Sequence, residues 1–324
     1  WPKLVQLLSE SLTEPRFELA DLNLLKEEAI DELRSLADDD EDLAEVALRR
    51  VLYGIDHPYG RDARGTEGTI QSITVADVQR FYDRNVRCNG GLMGIVGDFD
   101  DSIVEDVSQL LGGIEGTPSD SFTWPEVPET VAHRTVFVDK PDRSQCQIRL
   151  GVSRLDHRAA NFPAFVLAND CFGVGFQSRL MQEIREKHGW SYYAYSAPSL
   201  GRGDTAWTVG LAPSNDAVGV ALKRVYELFD AARSDGFTIE ELNQMRSARL
   251  KGMPFLVETA IKRLDLEMAK EWMHFDRVKN TAAMRALEVD AVNEAFHDTL
   301  DRPLITVIVG TWDDVGATLL DNAE

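Results

Sequence analysis

Two stretches of the 324-residue chain repeat one another, and this repeat limits the fold more than any other feature. ITVADVQRFYDRNVRCNGGLMGIVGDFDD (73–101) and LEVDAVNEAFHDTLDRPLITVIVGTWDD (287–314) share one pattern. Each reads as a short amphipathic helix, a turn and an apolar strand, then Val-Gly, Asp or Thr, an aromatic and Asp. Val96 maps onto Val309, an offset of 213 residues. A repeat that long indicates duplicated domains, because solenoid units run to only about 20–50 residues.

The copies are unequal ahead of their shared ending. In the second, strands are expected near 134–138 and 146–152, a helix near 161–172 and a further helix through 177–188. Strands follow near 190–198 and 204–212, helices near 215–234, 238–252, 258–275 and 281–299, and a last strand near 303–309. The first copy starts already inside its helical part, with helices near 1–13, 20–36 and 41–53. Roughly ninety residues of it are expected to be absent, from the repeat offset. EGTPSDSFTWPEVPET (115–130) is rich in Pro, Ser, Thr and Gly and lacks periodicity, as an interdomain linker does. The expected fold class is therefore α+β, with two homologous domains, each a mostly antiparallel sheet packed with helices. Residues 1–117 would form the C-terminal part of the first domain, 118–130 the linker and 131–324 a complete second domain. The truncated first domain should expose apolar surface that a partner chain or the missing segment would cover.

Composition removes several function classes. A formal net charge of −21, from 55 acids and 34 bases, argues against nucleic acid as the partner, since phosphate binding needs a basic surface. No apolar run reaches the ~18 residues of a membrane span. The opening WPKLVQLLSE has no basic n-region, so no signal peptide is visible. Cys88, Cys146 and Cys171 are odd in number and far apart, as buried or incidental thiols are. The run ADDDEDLAE (37–45) reads as a solvated helix start, its acids favoured by the helix dipole.

QSRLMQEIREKHGWSYYAYS (177–196) starts as a helix and ends as a strand. Leu180, Met181, Ile184 and His188 recur at helical spacing, so one face packs inward. Gly189 fits a C-terminal cap with positive φ. Strand alternation puts Trp190, Tyr192 and Ala194 on one face and Ser191, Tyr193 and Tyr195 on the other. Composition alone favours a core tyrosine and a surface arginine at this corner. FGVGFQS (172–178) looks like a phosphate loop, but the segment before it reads as helix, not strand. Gly173 and Gly175 are expected to let the chain turn tightly between helices. The six histidines form no H-x-x-E-H and no pair at i, i+4. His57 and Gly60, in HPYG (57–60), read as capping or turn residues. Glu27, Glu28, Asp31 and Glu32 would be solvated on their helix or paired with Lys26 and Arg34.

HPYGRDARGTEGTI (57–70) and FGVGFQSRLMQEIREKHGWSYYAYS (172–196) together resemble the pitrilysin/insulinase family of zinc metallopeptidases, along nearly the whole chain. The resemblance implies two homologous halves facing each other across a chamber that admits unstructured peptides. In active members the first half holds zinc through H-x-x-E-H, whose Glu is the general base, and through a second Glu about seventy-five residues downstream. The second half supplies an Arg and a Tyr that bind substrate and polarise the scissile carbonyl. The resemblance puts those roles on Arg185 and Tyr192, and the downstream zinc ligand on Glu32. It places H-x-x-E-H roughly forty-five residues before Trp1, from the repeat offset. Active members also carry a Glu seven residues before the downstream ligand, where this chain has Leu25. Leu25 fits the family's non-catalytic subunits, which lend Arg and Tyr to a zinc-bearing partner. Three readings follow. One is a zinc-dependent endopeptidase lacking its zinc helix, so that the chain alone is inactive. Another is a subunit of a hetero- or homodimer with a homologous partner. The third is a peptide-binding module without chemistry. A bacterial periplasm or cytoplasm is the expected setting.

Overall fold

The computed structural model describes residues 2–86, 91–112, 123–129 and 132–321. Cys88, and residues 118–122 and 130 of the expected linker, lie outside the described residues. The helices are α1 (Pro2–Thr13), α2 (Leu19–Leu36), α3 (Asp40–Tyr53), α4 (Glu67–Ser72), α5 (Val75–Asn85), α6 (Ser102–Gly112) and α7 (Phe162–Gly173). They continue with α8 (Val218–Ser234), α9 (Ile239–Leu256), α10 (Ala260–Met273), α11 (Arg277–Ala283), α12 (Val289–Leu300) and α13 (Trp312–Asp321). The strands are β1 (Arg134–Asp139), β2 (Gln147–Leu155), β3 (Ser191–Pro198), β4 (Thr205–Pro213) and β5 (Ile305–Gly310). The chain divides into two compact units, residues 1–35, 63–124 and 259–268, and residues 36–62, 125–258 and 269–324.

The first unit is helical. Thr66 and Thr74 cap α4 and α5 through reciprocal bonds with Thr69 and Asp77. Tyr82 donates its hydroxyl to the Leu12 carbonyl, and its ring meets Phe17 edge-on at 5.5 Å. Among the described residues the unit buries only Ile70, Ile103 and Leu110. No residue of α2 is buried, and Leu25 (60% exposed) and Phe81 (67%) face solvent. Residues 91–96, expected as a strand, have no regular structure. A strand is fixed by the ladder beside it. No described segment of this unit supplies one.

The second unit is built on one sheet in the order β1-β5-β2-β4-β3. β1 and β5 run parallel and every other pair antiparallel, giving a mixed α+β fold with a mostly antiparallel sheet. Ile148, Leu150, Val152, Trp207, Val209 and Ile308 point into the main core, which α7, α8 and α12 cover. The opposite face carries Gly151, Ala206, Ile305 and Val307 and is covered by Leu48 and Leu52 of α3. A Cβ on Gly151 would come within 2.9 Å of Leu52. The strands and most helices lie close to their expected places. One exception is the helix expected over 281–299. The extended backbone at Leu287 (φ −74°, ψ 130°) splits it into α11, a 3₁₀ turn at Met284–Ala286, and α12.

The acidic run before α3 is not simply solvated. Asp39 caps the helix by accepting from the Glu41 and Asp42 amides. Asp40 pairs with Arg143 at 2.6 Å, Asp38 with Lys140 at 3.7 Å and Glu41 with Arg149 at 2.6 Å. Arg149 is only 2% exposed, and a buried guanidinium needs such a carboxylate.

Candidate functional site

The site grows out of the way α7 leaves the core. A Cβ on Gly173 would sit 2.2 Å from Ser196 Oγ, so α7 lies directly on β3 only because that position is glycine. Gly175 then turns the chain at φ +76°. Ser178 Oγ donates to the Gly175 carbonyl (2.8 Å), and Gln182 Nε2 donates to that of Phe176 (2.6 Å). Arg179 forks onto both oxygens of Glu241 (2.6 and 2.9 Å), tying the turn to the start of α9.

Met181–Lys187 is wound as a π-helix, not as the α-helix expected. Its i→i+5 winding breaks the row of residues that α spacing would align. Leu180 and Ile184 are buried as expected, whereas His188 is carried out to solvent and stacks on Trp190 at 4.0 Å. Gly189, at φ +65°, closes the element: its amide donates to the Arg185 carbonyl, and that of Trp190 to Ile184. Glu183 anchors the outer side, with Lys187 at 2.5 Å and Arg224 at 3.4 Å. Those partners, the Lys187 hydrogen bond foremost, hold its carboxyl below the usual range.

β3 begins with a bulge. Ser191 pairs with Pro213 and Ala194 with Leu211, so one extra residue is accommodated on the β3 side. Ser191 Oγ accepts from the Ala212 amide (2.9 Å) and donates to the Tyr193 carbonyl (2.6 Å), filling the gap in the ladder. The bulge overturns the alternation expected from the sequence. Ser191 and Ala194 are both buried, and Tyr192 is 81% exposed rather than a core tyrosine. Tyr193 donates its hydroxyl to Gln147 (2.8 Å), and Arg149 lies 5.7 Å from the Tyr195 ring.

The π-helix and the bulge bring Arg185 and Tyr192 together. The Arg185 guanidinium carbon lies 4.8 Å from the Tyr192 ring centroid and 5.2 Å from that of Phe176. Such stacking holds a cation without neutralising it. The nearest carboxylate oxygen, on Glu186, is 3.6 Å from Arg185 Nε. The result is a solvent-facing ledge with guanidinium N–H donors and a phenolic O–H beside them, suited to a carbonyl oxygen or a carboxylate. Phe176, 62% exposed, is its unforeseen third member. Its only sequence signal was a large aromatic placed in a glycine-rich turn.

The other sequence candidates lie elsewhere. His57 is buried at the start of a 3₁₀ turn, Pro58–Gly60, and its Nδ1 accepts from the Tyr59 amide at 3.1 Å. The ring stacks on Tyr53 at 5.2 Å. Burial lowers its pKa, partly offset by a hydrogen bond to the Pro125 backbone. A Cβ on Gly60 would lie 1.9 Å from the Gly54 carbonyl oxygen, so that turn is closed to any other residue. Glu32 stands exposed on α2. Among the described residues no three His, Cys, Asp or Glu side chains converge on a metal position, so the residues present do not fit a zinc ion. Burial pushes the Cys146 thiol up to about 11 and that of Cys171 to about 12, so neither is a thiolate nucleophile near neutral pH.

Comparison with known proteins bears on the family and the fold. A family model described as Peptidase M16 inactive domain matches residues 72–249. An uncharacterized zinc protease of Mycobacterium leprae is 24% identical over 326 residues, covering 95% of this chain and 70% of the relative. A probable inactive metalloprotease of Bacillus subtilis is 22% identical over 212 residues, covering 63% of this chain and 47% of the relative. The crystal structure of a peptidase M16 inactive domain from Pseudomonas fluorescens superposes with a TM-score of 0.86 at 22% identity. That match spans 96% of this chain and 74% of the other.

Proposed function

The chain belongs to the peptidase M16 inactive-domain family, the pitrilysin/insulinase group that its motifs resemble, and on that premise we propose that it binds extended, unstructured peptides at the Arg185–Tyr192 ledge. In this reading it is the substrate-side half of a peptidase site. Arg185 and Tyr192 grip a backbone carbonyl oxygen, and in an assembled enzyme they would stabilise the charge that develops on it. The observation that carries the reading is the exposed stack of guanidinium on phenol. A tyrosine 81% exposed contributes little to the core, and the bulge that turns it outward leaves it beside the Arg185 guanidinium.

The finer reading is a zinc endopeptidase whose metal ligands come from elsewhere, either another part of a longer chain or a homologous subunit. The names of relatives support it, since they include zinc proteases beside a probable inactive form. Among the described residues no three side chains converge on a metal position, so this reading requires the ligands to come from elsewhere. The chain alone should therefore bind a labelled unstructured peptide and leave it intact, with or without added zinc.

The deciding experiment has two parts. Arg185→Ala should weaken peptide binding by about tenfold, the loss of a charge-assisted hydrogen bond. In a pair reconstituted with a zinc-bearing homologue, Tyr192→Phe should lower turnover by a factor of about 10², because it keeps the ring and removes only the donor. Unchanged binding and unchanged turnover together would remove the proposed role.

A further inference from the structure

An acidic chain with 55 carboxylates for 34 basic side chains should leave few cations without a partner. A shallow, open surface depression of about 460 Å³ between α9 and the Met284–Ala286 turn departs from that expectation. Arg246, Lys251 and Arg285 line it with Asn243, Ser247 and Leu250, and no carboxylate does. Arg246 donates to the Leu287 carbonyl and, at 3.3 Å, to Asn243 Oδ1. Those bonds fix its position and leave its charge intact. Lys251 and Arg285 are exposed, and among the described residues none of the three cations forms an ion pair. Three like charges around one concavity repel one another, and an anion seated there would relieve that repulsion.

The shape narrows the ligand. Asn243, Arg246, Ser247, Leu250 and Lys251 recur at spacings of three and four and so share one face of α9. From the first to the last the helix rises about 12 Å, the length of about four residues of extended chain. No aromatic side chain lines the groove, so it offers no platform for a nucleobase. A neutral amide and a hydroxyl alternate with the cations, as a peptide backbone flanked by acidic side chains requires. We propose that this groove binds a short, extended, acidic peptide segment. Its carboxylates would pair with Lys251 and Arg285, and its backbone with Asn243 and Ser247. The groove shares no residue with the Arg185–Tyr192 ledge, and the proposal stands apart from the function proposed there.

The test is fluorescence anisotropy on the full chain at about 50 mM salt, where charge interactions are weakly screened. The probes are a labelled glutamate-rich peptide and its glutamine counterpart. The glutamate peptide should bind at least about tenfold more tightly than the glutamine peptide, and its affinity should fall as salt rises. The double variant Lys251→Glu/Arg285→Glu should weaken the glutamate peptide by at least about tenfold. Should that variant lose its native circular dichroism, the charge-neutral Lys251→Gln/Arg285→Gln reads the same loss at smaller amplitude. Equal affinity for the two peptides, or undiminished binding by a folded variant, overturns the proposal. So does displacement of the peptide by inorganic tripolyphosphate at lower concentration than by unlabelled peptide, which would reassign the groove to phosphoryl groups.

Discussion

Residues 91–97 and 304–310 are copies of one another, and only the second is a strand. GLMGIVG has no regular structure in the helical unit, while Ile305–Gly310 lies between β1 and β2 with all six residues buried. The local pattern is almost the same, so the difference comes from what lies beside it. A half-buried or buried strand draws its stability from neighbouring strands and covered faces rather than from its own residues. The same contrast runs through the two units as wholes. One buries three apolar side chains among its described residues, and the other packs a continuous aromatic and aliphatic core around Trp207, Phe172, Phe229 and Phe296.

The largest expected effect tests that contrast at matched positions. Ile308→Asp should destabilise the sheet unit by more than about 4 kcal/mol, since it buries an unpaired carboxylate. Ile95→Asp, at the equivalent repeat position, should cost about 1 kcal/mol or less. Urea denaturation followed by the fluorescence of the chain's tryptophans reads the first, and hydrogen exchange in α5 and α6 of the helical unit reads the second. Equal losses at the two positions would break the comparison.

A second pair of substitutions concerns charge. Asp170 is 2% exposed and forked by Arg249, and burial raises its pKa despite that partner. Arg249→Leu should cost about 3–5 kcal/mol, and adding Asp170→Leu should recover much of it. In the helical unit Arg34 pairs with Glu67 at 2.8 Å on an exposed face, and Arg34→Leu should leave the denaturation midpoint where it was. A large loss at Arg34 would mean that the helical unit is more tightly built than its exposed faces indicate.

Acidity should separate the units further. All six histidines belong to the sheet unit. His57 has its folded pKa lowered by burial from 6.5, so the unfolded chain takes up the proton first. Its contribution to stability is complete above pH 6.5 and is lost as pH falls through that value toward the folded pKa. His57→Gln should flatten the stability profile of the sheet unit in that window, and an unchanged slope would exclude His57 as its source.

The smallest effect sharpens the site itself. Phe176→Ala should weaken peptide binding only about two- to fivefold, by loosening Arg185. It should leave the urea midpoint unchanged, because the ring is largely exposed. A stability loss without an affinity loss would make Phe176 a packing residue.

Much of the sheet unit was legible because its helices and strands obey their own periods. The residues of β5, β2 and α7 have one reading, and tertiary packing agrees with it. The failures share one cause. The strand expected at 91–96 has no partner among the described residues, the acids of 37–45 found arginines and a lysine far away in sequence, and Tyr192 was turned outward by one extra residue in a ladder. Each outcome depends on a group remote in the chain, which a local pattern does not contain. The spacing of Arg185 and Tyr192 was visible in the residues. The reason they meet was not, since it depends on a π-helix and a bulge that no periodicity announces.

Those two irregularities make the length of this segment unusually exacting. Remove one residue from 181–187 and the helix becomes more regular, but the side chains beyond the cut rotate by about 100°. Remove one from 191–194 and the strand becomes more regular, but Tyr192 changes face. Either deletion would improve local geometry and dissolve the ledge. The ledge is therefore held by the count of residues in this segment as much as by the identity of any one of them.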